Sequence, residues 1–184
     1  MGTPVYNIPK RERDLFLFLR PFLIGREINT VLDYECGYSP LASYIAGMQG
    51  VRLIGFDENE EAIVQLENLF PGGKWFVSRS CDFHVPAWPP INIVMWLGID
   101  PSERPATMAA SCFVEMVVGE IDPLYVFLEW ASDYARGKRA MTEVMGQLRH
   151  VYGLVDSGTT RLGFGQLIPG FAYSERSFTL YMKL

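Results

Sequence analysis

The sequence predicts an α/β fold: a Rossmann-like, open twisted sheet, mostly parallel, with an antiparallel C-terminal pair and helices on both faces. Three observations predict it. Between residues 30 and 150, short β-rich apolar runs alternate with stretches whose apolar residues recur every three or four positions. The runs at 91–97 and 124–129 are apolar almost throughout, as strands covered on both faces are. Beyond Leu154 the helical stripes stop, and two β-like stretches remain. Right-handed crossovers between parallel strands place the intervening helices on both faces of such a sheet.

The elements follow in order. Residues 10–22 carry Leu15, Phe16, Leu19 and Phe22 at helical spacing behind Arg11, Glu12, Arg13 and Asp14, which predicts an amphipathic helix in a lead-in segment spanning 10–28. A short strand at 30–33, a helix at 40–48 with Leu41, Tyr44, Ile45 and Met48 on one face, and a strand at 51–56 make a βαβ unit. Asn59 caps the next helix, Glu60 and Glu61 suit its positive end, and Pro71 and Gly72 stop it after Ile63, Leu66 and Phe70. Strands at 74–78 and 91–97 come next. Pro105 suits the first turn of a helix through Met108, Cys112 and Met116, which is followed by the strand at 124–129. Met141, Val144, Met145 and Leu148 mark a helix at 140–150, and strands at 159–164 and 177–182 close the sheet.

Composition bounds the function. The chain's 184 residues suit one domain, 1–184, and 49% hydrophobic with 20% charged residues is too apolar for disorder. A net charge of -5 disfavours nucleic acid as a partner. The most apolar stretch, 91–99, is less than half the ~20 residues that span a bilayer, so no membrane association is expected. Cys36, Cys81 and Cys112 form no CxxC pair, and neither a disulfide framework nor a metal cluster is expected. Three reduced thiols in a cytoplasmic protein fit best.

The chemistry concentrates after the first strand, in Asp33-Tyr34-Glu35-Cys36-Gly37-Tyr38-Ser39-Pro40, and at Asp57, twenty positions beyond Gly37. A tight strand-to-helix turn followed by an acid at the next strand's end is an arrangement that binds a nucleoside ribose. Here the sequence resembles the class I S-adenosylmethionine-dependent methyltransferases, whose first motif is an acid followed by three glycines at alternate positions. The later Asp82 and the closing Glu175-Arg176-Ser177-Phe178-Thr179-Leu180-Tyr181 fall in the family's order, so the resemblance spans most of the chain.

That resemblance implies S-adenosylmethionine as cofactor and a role for each matching residue. Asp33 corresponds to the acid near the cofactor's methionine end, Gly37 to the central glycine, and Cys36 to the residue between glycines. Asp57 corresponds to the ribose-binding acid and Glu58 to its neighbour on the adenosine side. Asp82 and Phe83 correspond to the pair that meets the adenine. Two motif glycines are replaced, by Glu35 and Ser39. Glu35 either obstructs the methionine region or offers its carboxylate to the cofactor's cationic groups.

On the acceptor side, Asp100, after the fourth strand, is the candidate base or orienting acid, equally a turn or capping residue. Trp96 is a candidate wall of the acceptor site, and Glu129 a candidate substrate contact or else a solvated loop acid. Trp75, Trp88, Trp96 and Trp130 read first as core, His84 and His150 as packed or hydrogen-bonded residues, and Gly163-Phe164-Gly165 as a bend. The expected activity is methyl transfer to an unidentified acceptor, with an oligomer partner as one way to complete the pocket. The alternative is a non-catalytic protein that uses the same scaffold for ligand binding or partner assembly. A nicotinamide-dependent oxidoreductase is weaker, because no GxGxxG follows the first strand.

Overall fold

The computed structural model describes residues 10–24, 29–39, 41–84, 90–99, 106–131, 135–161 and 175–184. Helix α1 (Lys10–Leu23) leads to β1 (Thr30–Tyr34), a short helix α2 (Ala42–Ile45), β2 (Arg52–Asp57), α3 (Glu60–Leu69), β3 (Lys74–Val77) and β4 (Ile93–Ile99). Next come α4 (Ala106–Glu115), continued as π-helix over Met116–Ile121, then β5 (Tyr125–Ala131), α5 (Ala135–Leu148), β6 (Tyr152–Arg161) and β7 (Glu175–Lys183). The seven strands form one sheet in the order β3-β2-β1-β4-β5-β7-β6. The first five run parallel, and β7 is antiparallel to both β5 and β6.

Both faces are covered, as the continuous apolar strands predict. Val31, Leu53, Ile93, Met95 and Phe127 share a core with Leu15, Leu19 and Leu23 of α1, Leu41 and Ile45 beside and within α2, and Ile63 and Leu66 of α3. Alternate residues Leu32, Ile54, Val94, Val126 and Leu128 pack on the opposite face against Phe113, Met141, Val144 and Leu148. Helix α1 holds despite Pro21 near its end. Burial of its three leucines contributes about 2 kcal/mol each, which outweighs the ~3 kcal/mol a proline costs inside a helix.

Three expectations about the chain are corrected. The helix expected over 40–48 is confined to Ala42–Ile45, because the chain then turns tightly: Met48 N–H bonds to the Ile45 carbonyl and Val51 N–H to that of Met48, with Gly50 at φ +82°. Strand β6 starts at Tyr152 rather than residue 159. Its polar and glycine residues conceal it, and a register shift between Leu154 and Asp156 breaks its alternation. Gly158 lies against Phe178, where a Cβ would come within 2.5 Å of the ring, so the glycine serves close packing inside a strand.

The third correction is chemical. Cys81 and Cys112, 31 residues apart, form a disulfide with Cα atoms 5.2 Å apart, where reduced thiols were expected; Cys36 is free and buried. Spacing along the chain conceals the proximity. Phe113 of α4 stacks on Trp96 and meets Tyr34 edge-on, while Phe83 stacks on Phe56, so α4 and the turn after β3 come together above the centre of the sheet. Among the described residues no helix is long and apolar enough to cross a membrane.

Candidate functional site

Chain order reverses between β1 and β4, which lie side by side, and the carboxyl ends of the strands flanking such a switch point open onto a crevice. The turn after β1 occupies that position. Within it Cys36 N–H bonds to the Phe56 carbonyl at 2.9 Å and prolongs the β1–β2 pairing. Glu35, Gly37 and Ser39 then take φ +49°, +49° and +40°. All three motif positions therefore adopt the left-handed backbone that glycine favours, although two carry side chains. Each such residue costs on the order of 1 to 2 kcal/mol, and side-chain bonds accompany both.

Asp57, at the end of β2, joins the turn to the next helix. Its Oδ2 accepts from Gly37 N–H at 2.8 Å and its Oδ1 from Asn59 N–H at 2.8 Å. A carboxylate oxygen has room for more than one donor. At Gly37 nothing lies within 4 Å of where a Cβ would stand, so the backbone borders open space. Gly37 and Asp57 are thus in direct contact at one end of the sheet.

The carboxylates differ in environment. Asp33 is buried and accepts a hydrogen bond from Ser39 Oγ. Burial pushes its pKa up from 3.8 to about 7, the Ser39 bond opposes this, and the charge of Asp57 adds to it. Glu35 reaches across the strand ends, where its carboxylate accepts from Ser80 Oγ and, at 3.1 Å, from Trp96 Nε1. The Cys36 thiol is pushed up by burial and further by Asp33 and Asp57, so it stays protonated. Ser80 carried no sequence signal. Its only pointer is that an acid replacing glycine in a tight turn needs donors nearby.

The remaining expected site residues divide. Glu58 and Asp82 are exposed, Glu58 next to Asp57 in sequence and Asp82 in the turn after β3. Phe83 is buried with its ring 3.9 Å from that of Phe56, so in this structure it faces the core. Trp96 is also core, packed on Tyr34 and Phe113, and only its indole N–H is directed at the site residue Glu35. Glu129 is wholly buried within β5 opposite Phe178, which corrects the solvated-loop alternative. Trp75 and Trp130 are core as expected, whereas Asp100, Trp88 and residues 163–165 lie outside the described residues. His84 is exposed, with Nδ1 3.8 Å from Glu120.

No family model matches the chain, and no curated protein matches it. Solved structures do. N-methyltransferase NodS from Bradyrhizobium japonicum WM9, in complex with S-adenosylhomocysteine, superposes with a TM-score of 0.70 at 16% identity, covering 94% of this chain and 86% of that one. The fold is that of class I methyltransferases. Magnesium protoporphyrin IX methyltransferase ChlM from Synechocystis PCC 6803, solved with bound S-adenosylhomocysteine, gives 0.69 at 10% identity over 95% and 84% of the two chains. The methyltransferase domain of bacterial CtHen1 gives 0.66 at 11% identity over 94% and 97%. The mostly parallel sheet with its antiparallel C-terminal pair, expected from the sequence, is therefore present.

Proposed function

We propose that this protein is an S-adenosylmethionine-dependent methyltransferase, a single domain acting in the cytoplasm on an unidentified acceptor. One observation carries the proposal: positions 35, 37 and 39 are all left-handed, and the central Gly37 amide is bonded to the acid that ends β2. A turn that keeps this backbone without two of its glycines keeps it at a cost, and strain of that kind concentrates at functional sites. The neighbours NodS and ChlM, each solved with S-adenosylhomocysteine, support the same cofactor here.

The residues present fit that group. Gly37 borders open space, and around it Glu35 and Asp57 supply acceptors and negative charge, with the buried Asp33 half-ionised near neutral pH, for a ligand rich in hydroxyl donors and bearing cationic ammonium and sulfonium groups. When bound, the cofactor supplies an electrophilic methyl group. Gly37 and Asp57 orient the ribose end, Cys36 and Glu58 flank them, and Asp33 and Glu35 favour the methionine end. Asp82, exposed in the turn after β3, borders the adenine end, while Phe83 packs into the core beneath that turn. Asp100, directly after β4 in sequence, orients or deprotonates the acceptor, while the buried Trp96 serves by holding Glu35 through its indole N–H.

The second reading, a non-catalytic scaffold, is favoured by the Glu35 carboxylate being bonded to Ser80 and Trp96. Calorimetric titration with S-adenosylhomocysteine and NAD, followed by a methyl-release screen, separates the readings. Binding of the first ligand alone, with methyl release, is expected. Failure to bind S-adenosylhomocysteine overturns the proposal, and binding without turnover on any acceptor favours the scaffold.

A further inference from the structure

We propose that Cys81 and Cys112 form a redox latch that controls the cofactor site; as a statement about that site, it rests on the function proposed above. Four observations carry it. The disulfide ties the turn after β3 to α4, and Cys81 is exposed while Cys112 is partly so, which leaves the bond open to an attacking thiolate. The residue immediately before Cys81 is Ser80, whose buried hydroxyl donates to Glu35. Glu35 sits at φ +49°, a conformation that persists only where its surroundings over-determine it. Finally, the backbone of the turn is anchored to the site itself, through Ser78 N–H on the Asp57 carbonyl at 2.9 Å. The latch, the donor and the strained residue thus form one connected path.

The reductant is a dithiol. Its thiolate attacks Cys81 Sγ, forming a mixed disulfide and expelling Cys112 as a thiolate. Its second thiol then displaces Cys81, so two electrons pass to the protein, the reductant leaves as a cyclic disulfide and both cysteines take up protons. Once released from α4, the turn no longer fixes Ser80 on Glu35, and the turn after β1 loses part of what holds it in place. In reducing compartments persistent protein disulfides are rare, and those that form are usually transient or redox-sensing. A partly exposed pair beside a ligand site suits that use.

The test compares oxidised protein, dithiothreitol-reduced protein and the Cys81→Ser/Cys112→Ser variant. Calorimetric titration with S-adenosylhomocysteine should give affinities about tenfold weaker for the reduced and variant forms, within the usual range of coupling between sites. Dithiothreitol should leave the variant unchanged. Equal affinity in all three forms overturns the latch. Amide hydrogen exchange gives a readout that needs no ligand: exchange at Gly37 and across residues 78–83 should accelerate on reduction, and unchanged exchange overturns the latch. If no form binds S-adenosylhomocysteine, the methyltransferase proposal falls and exchange alone decides whether the disulfide controls this turn.

Discussion

The two ends of β1 meet the same requirement, satisfying polar groups at the edge of a buried strand, in opposite ways. At the amino end the solution is neutral and unstrained. Asn92 Oδ1 accepts from the amides of Asn29 at 3.0 Å and Thr30 at 3.1 Å, Thr30 Oγ1 bonds to Asn29 Oδ1 at 3.0 Å, and the Asn92 carbonyl receives Tyr125 N–H at 2.9 Å. One uncharged residue, through its side-chain amide and its backbone carbonyl, thereby links the starts of three strands. At the carboxyl end the chain uses a buried acid, a second acid bonded to two amides, and two side-chain-bearing residues in left-handed backbone. The amino end needs neither charge nor strain to do this. The carboxyl end tolerates both, and it is the end to which the proposed function assigns the cofactor.

That contrast can be broken at either end. The largest effect should come from Asp33, whose pKa is raised on folding from 3.8 to about 7. Between those values the native state holds a proton that the unfolded chain has lost, so stability falls as pH rises through the window, by on the order of 4 kcal/mol. Denaturant unfolding of wild type and Asp33→Asn from pH 4 to pH 8 should show this slope in the first and its loss in the second. Parallel profiles would mean that the carboxylate is solvated.

Asp57→Ala should come next. Removing the acceptor of the Gly37 and Asn59 amides should cost about 2 to 3 kcal/mol of stability. On the proposed function, S-adenosylhomocysteine affinity should fall roughly tenfold to a hundredfold, from the 1.5 to 3 kcal/mol that a charged hydrogen-bond partner contributes. Unaltered affinity in a folded variant would remove Asp57 from the site. Asn92→Ala, at the other end, should cost about 1 to 2 kcal/mol through the same chemistry without charge, and calorimetry should record no change in ligand affinity. A loss of affinity there would erase the distinction between the two ends.

The smallest effect on stability belongs to Glu35→Gly. Glycine recovers about 1 to 2 kcal/mol by relieving the left-handed backbone, but loses two bonds, to Ser80 and Trp96, at about 1 kcal/mol each and adds about 0.5 to 1 kcal/mol of chain freedom, so a net loss of about 1 kcal/mol is expected. Affinity for S-adenosylhomocysteine should weaken, more at low salt than at high, as a carboxylate favouring the ligand's cations requires. Tighter binding by the variant would show Glu35 to be an obstruction.

Periodicity and local chemistry made much of the fold legible. Leu15 and Leu19, or Ile63 and Leu66, lie one turn apart and report a buried helix face whatever the partner, and Asn59 declares a cap within three residues, realised in its bond from Ala62 N–H. The motif from Asp33 to Ser39 and the acid at Asp57 were legible for the same reason, since a turn's backbone depends on neighbours in sequence. Strand β6 was only half legible, because Gly153 and Gly158 weaken its pattern and take their meaning from Leu184 and Phe178 across the pairing. The bond from Ser80 to Glu35, the Cys81–Cys112 disulfide and the burial of Glu129 were decided by tertiary structure alone. Each depends on which strands are neighbours and which helix crosses above them, and crossovers that separate contacting residues by 31 or 45 positions leave no local period in the chain to announce the contact.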